Sequence, residues 1–134
     1  MKKFEILPHR ADLKIKAFGK DKKELFLNAL IAMTKSQKTK KLKEQIKRKI
    51  KINSPDLPAL LVDFLSEVLY LSQVNKEVYS GVIFKKFTDR EIEGELIGQK
   101  VERFGEDIKA VTHHNLDIRQ LSDGFWEANV LFDI

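Results

Sequence analysis

Two aspartates near opposite ends of the chain carry the clearest chemical potential in this sequence. Asp12 opens the alternating run "DLKIKAF", and Asp133 is next to last in "ANVLFDI". Each falls on the polar parity of a strand-like segment. If the two strands are neighbours, two carboxylates meet. Like charges held close need a bound proton, a cationic neighbour or a metal ion. If the chain ends at Ile134, its terminal carboxylate is one residue away. All of these are hard oxygen donors, which favour calcium or magnesium over zinc. Periodicity alone does not make the strands neighbours, so two ordinary surface aspartates remain the other reading.

The histidines supply less. There are three, His9, His113 and His114, with no H-x-x-x-H spacing, too few for a three-histidine zinc site without carboxylates. In a regular strand His113 and His114 face opposite sides, so only one could line a given site. The plainer expectation is one hydrogen-bonded near the core and one exposed. With no cysteine there is no thiol nucleophile, thiolate site or disulfide. The glycines form no phosphate-cradling loop, and no G-x-S-x-G elbow occurs.

The net charge of +5 is concentrated. Between Lys35 and Lys51 stand Lys35, Lys38, Lys40, Lys41, Lys43, Lys47, Arg48, Lys49 and Lys51 against Glu44 alone. One reading is a patch for RNA phosphates or an acidic partner, centred on Lys40, Lys41, Lys43, Lys47 and Arg48. The other is a solvated loop and strand face, since no aromatic residue interrupts the run to stack on bases.

The elements that must position these residues are legible in outline. Strands are expected at about 3–7 and 12–18, where Leu13, Ile15 and Ala17 share one face. Asp21 is a candidate N-cap with Glu24 as capping-box partner, opening a helix from about 22 to 35. A strand follows in "QIKRKIKIN". A second helix carries Leu57, Leu60, Leu61, Phe64, Leu65, Val68 and Leu69 at three- and four-residue spacing, with Asp56 and Pro58 at its first turn. "EVYSGVIFKKF" and "REIEGELIGQ" read as two strands around a turn near Thr88–Arg90. A further stretch begins at Asp107, and "FWEANVLFDI" closes the chain.

This order predicts one α+β domain over residues 1–134, with an antiparallel or mixed sheet and both helices on one face. No run of about 18 uncharged apolar residues suggests a membrane span, and no apolar stretch follows the basic N-terminus as a signal peptide needs. A cytoplasmic protein is the expectation.

Four blocks resemble the archease family, in the same order along nearly the whole chain. They are "HRADLKIKAFGKDKKELFLNALIAM", "LLVDFLSEVLYL", "IKAVTHHNLDI" and "ANVLFDI". The resemblance implies a non-catalytic protein cofactor of the tRNA-splicing RNA ligase, which joins an RNA 3′-phosphate or 2′,3′-cyclic phosphate to a 5′-hydroxyl. Such a protein promotes guanylylation of the ligase and its multiple turnover. It also implies a divalent cation, with calcium expected and magnesium or manganese as alternatives, held by Asp12, Asp133 and an oxygen of Ile134. Lys109 is implied in activation, and His9 is expected to support the same corner by hydrogen bonding. Direct RNA contact is expected to be weak. The rival reading is a general RNA-binding or chaperone-like module acting through residues 35–51. Arg10 stands where a threonine is expected in the family, and His113 where a tyrosine is common.

Overall fold

The computed structural model describes residues 2–9 and 12–134, with the side chain of His9 outside the described set. Seven strands and two helices run in the order β1 (Phe4–His9), β2 (Asp12–Gly19), α1 (Lys22–Ser36), β3 (Lys40–Asn53), α2 (Leu57–Asn75), β4 (Glu77–Phe87), β5 (Glu91–Arg103), β6 (Ala110–Gln120), β7 (Trp126–Asp133). The α+β class is as expected. The strands divide into two sheets, ordered β1–β2–β7–β6 and β3–β5–β4, and every neighbouring pair is antiparallel.

Both helices are shared between the sheets. α1 packs on β1, β2 and β7 of the first and on β4 of the second, while α2 packs on β6 of the first and on β3, β4 and β5 of the second. The apolar stripe of α2, including Leu60, Leu61, Phe64, Leu65 and Val68, is buried in this layer. That helix is long and apolar enough to cross a bilayer, but here its stripe is part of the core. Phe26 of α1 and Phe64 of α2 stack at 5.7 Å between ring centroids and continue into Phe84 and Phe87 of β4. Aromatic contacts of this kind tie the helices to the second sheet.

The helix starts follow their sequence signals. The Asp21 carboxylate accepts from the Glu24 N–H at 2.8 Å, and Asp56 accepts from the Ala59 N–H at 2.8 Å. Glu24 reaches back as expected, but to the Lys20 N–H at 3.1 Å. Each cap satisfies an N–H that the first turn leaves without an intrahelical partner.

β3 is longer than its sequence pattern. Alternation marks a strand only from about Gln45, yet pairing with β5 begins at Lys40 and passes through two irregularities before Gln45. In this half both faces of β3 are exposed, so no apolar period records it.

One carboxylate in the second sheet is fully buried. Glu77 accepts from Arg48 Nε (2.9 Å) and Nη2 (2.7 Å) and from the Tyr79 hydroxyl (2.8 Å), and lies 3.1 Å from Lys100 Nζ. The Arg48 hydrogen bonds, helped by Tyr79 and Lys100 and opposed by burial, hold the Glu77 carboxyl down at about 2. Burial, and then Glu77, push the Tyr79 hydroxyl above its ordinary range.

Candidate functional site at the β2–β7 corner

The fold makes β2 and β7 neighbours, and their register is decisive. Leu13 pairs with Phe132 and Ile15 with Val130, fixing these as core residues. The next pair outward is Asp12 with Asp133. Cross-strand partners place their side chains on one face, with Cβ atoms about 5 Å apart. Burial alternates strictly along β2, so both aspartates lie on the face turned away from the helices. Asp133 is exposed, as is Ile134.

All four strands of this sheet reach the corner. His9 of β1 is the register partner of Asp12, and Ala110 of β6 is the partner of Asp133. The Lys109 N–H donates to the Asp133 carbonyl at 2.8 Å. The Lys109 side chain has the opposite parity, that of the partly buried Val111. It lines a groove of about 280 Å³ with Ser66, Leu69, Tyr70 and Gln73 of α2. Lys109 and the carboxylates therefore share an edge but not a face. The expected hydrogen-bonding role of His9 and the question raised by Arg10 concern side chains outside the described residues.

Among the described residues no three His, Cys, Asp or Glu side chains cluster closely enough to hold a metal. The donor chemistry nevertheless fits a hard cation. Asp12 and Asp133 are cross-strand partners on one face at a strand end. Calcium or magnesium would complete its shell with main-chain oxygens and water.

The far end of the same face is occupied by ion pairs. Glu127, only 6% exposed, lies 3.6 Å from Lys16 and 2.8 Å from Arg119, and Arg119 is 3.8 Å from Asp117. The hydrogen bond that Arg119 donates to Glu127 raises the arginine's pKa further. Between this cluster and the corner, β6 leaves the register of β7. Thr112 pairs with Leu131, but the next pair is Asp117 with Asn129. The extra residues arch outward, with Asn115 in the left-handed region at φ 53°. His113 and His114 are both exposed on this arch, not split between core and solvent, because the strand is not regular there.

The basic segment is compensated in part. Lys40 pairs with Glu102 at 3.1 Å, Lys47 with Glu95 at 4.0 Å, and Arg48 is committed to Glu77. Of the five residues expected to form an RNA patch, Lys41 and Lys43 have no ion pair among the described residues.

A family model for the archease protein family matches residues 4–134. The chain belongs to the archease family. It is 40% identical to the archease of Methanosarcina barkeri, covering 99% of this chain and 97% of that protein. It is 29% identical to that of Pyrococcus furiosus over the full length of both. The solution structure of Methanobacterium thermoautotrophicum protein 1598 superposes with a TM-score of 0.72, at 26% identity and full coverage of both chains. A crystal structure of a Thermotoga maritima archease, described as a possible chaperone, shares the fold with a TM-score of 0.71 at 17% identity, covering 96% of this chain and 94% of that one.

Proposed function

We propose that this archease is a non-catalytic activator of the tRNA-splicing RNA ligase in the cytoplasm, promoting its guanylylation and multiple turnover. The observation that carries the reading is the in-register juxtaposition of Asp12 and Asp133 on an exposed sheet face. Core packing does not require a carboxylate at either position. Side by side they disfavour one another unless a cation is near. Asp12, Asp133 and the Ile134 main-chain oxygen would hold a divalent cation, calcium by preference, with magnesium or manganese in its place. When bound, such an ion supplies a Lewis acid for oxyanions at the corner.

The remaining groups orient the partner. Lys109 sits beside Tyr70 of α2, which is 58% exposed, and Val74 of the same helix is 61% exposed. A lysine within an apolar rim suits an acidic protein surface better than a nucleotide bound on the opposite face. The general RNA-binding reading loses support from the ion pairs of Lys40, Lys47 and Arg48.

The test is ligation with purified ligase and an excess of RNA ends. The reading predicts about one turnover per ligase alone and many when this protein is added. Unchanged turnover on addition would contradict it.

A further inference from the structure

The corner has a second wall. The arch of β6 brings Asn115 back over Leu131, where it lines a cavity of about 280 Å³ with Leu7, Pro8, Asp12 and Lys14. The register explains the grouping. Leu7, Lys14, Leu131 and Thr112 form one row across all four strands, next to the row that holds Asp12 and Asp133. Thr112 anchors the base of the arch. Its hydroxyl donates to the Leu131 carbonyl at 3.0 Å and accepts from the His114 N–H at 3.2 Å.

Lys14 is the unusual member of this cavity. It is half-buried, two residues from Asp12 on the same face. Residues so spaced on a strand lie roughly 7 Å apart. Its neighbour Lys16 is matched to Glu127, but no ion pair engages Lys14 among the described residues. The Asn115 amide likewise makes no side-chain hydrogen bond among them. A residue with a point-charge donor and one with an amide donor thus line the same cavity as a carboxylate already assigned to a cation.

We propose that Lys14 and Asn115 form an anion subsite for a phosphoryl group, which would bridge the lysine and the cation held by Asp12 and Asp133. The subsite deepens the cation reading and rests on it. Phosphoryl oxygens satisfy both sides of such a gap, because they bind hard cations and accept from ammonium and amide N–H groups. Leu7, Pro8 and Leu131 give the cavity an apolar wall beside the lysine. Lys14 lies on the carboxylate face, whereas the Lys109 side chain does not. This gives phosphate recognition to Lys14 and leaves Lys109 to the protein partner. The phosphoryl group could belong to a nucleoside triphosphate or to an RNA 3′-phosphate, which share this chemistry.

The experiment is NMR titration of the isotope-labelled full chain, following the amides of Asp12–Lys14 and His113–Leu116 and the Asn115 side chain. Calcium is added first. Inorganic phosphate, guanosine triphosphate, and a short RNA with or without a 3′-phosphate follow in separate arms. Wild type should show saturable shifts with phosphate compounds, and the tighter of the triphosphate and the 3′-phosphorylated RNA identifies the source. Lys14→Ala should bind calcium as wild type does and the phosphate compound about tenfold more weakly, the loss of one charged hydrogen bond. Lys14→Arg should restore much of it. Asn115→Gly keeps the left-handed backbone and should weaken binding without disturbing the arch. Calcium binding without any phosphate response, or equal phosphate affinity in Lys14→Ala, would overturn the subsite and leave the cation reading intact. Failure to bind calcium would sink the cation reading instead. The bridged subsite, which rests on that cation, would fall with it.

Discussion

Replacing Glu77 by Gln should destabilise the fold in a way that depends on pH. Glu77 is fully buried and takes three hydrogen bonds, two from Arg48 and one from Tyr79, with Lys100 also within ion-pair range. Its carboxyl is held at about 2 in the folded protein against an ordinary value of 4.5. A carboxyl lowered by that much contributes roughly 3 kcal/mol of stability at neutral pH. Because the folded value is depressed, the contribution is complete above about pH 4.5 and is lost as pH falls toward 2. More than half of it is gone by about pH 3. Gln keeps the shape and one acceptor but loses the charge. Arg48 and Lys100 are about a third exposed and can turn to water, which limits the damage to roughly 2–3 kcal/mol at pH 7. Urea unfolding followed by circular dichroism at pH 7 and pH 3 measures the difference between wild type and variant. The gap should shrink at pH 3. Equal stabilities at pH 7, or a gap that stays constant with pH, would refute the argument. Ligase activation should survive in the folded variant, because Glu77 lies in the sheet that does not carry the carboxylate corner.

Two other perturbations follow from the same structure. A Cβ on Gly98 would lie 2.0 Å from the Val78 carbonyl oxygen and 2.9 Å from the Tyr79 Cα, where β4 crosses β5 closely. Gly98→Ala should therefore cost about 3 kcal/mol, near the upper end for overpacking, because backbone cannot yield as a side chain does; thermal unfolding reads it directly. RNA binding without ligase should depend weakly on salt, with a log–log slope no steeper than about −2, because Lys41 and Lys43 are the patch residues left without ion pairs among those described. A gel-shift series with a much steeper slope would revive the basic segment as the functional surface.

Much of this architecture was readable from periodicity. Both helices, their Asp caps and the strands with one buried face each left an apolar pattern. The first half of β3 left none, because neither of its faces is buried. The β6 arch was also hidden. Its residues look like continuing strand, and only the register with β7 shows that His113 to Leu116 leave the ladder. Asp12 and Asp133 stood out as residues that the core did not need. Their adjacency depends on β2 pairing with β7 across most of the chain, which local sequence does not encode. Lys14 carried a faint signal, since it shares parity with Asp12. Glu77 carried almost none, because a glutamate at the start of a strand usually faces water.

The most direct test of the account is a double-mutant cycle on the corner, read in multiple-turnover ligation and in calcium binding. If Asp12 and Asp133 act as one site, Asp12→Asn, Asp133→Asn and the double variant should lose activation and calcium binding to nearly the same extent, with the fold unchanged by circular dichroism. Independent, additive losses would contradict the account, as would wild-type turnover in either single variant.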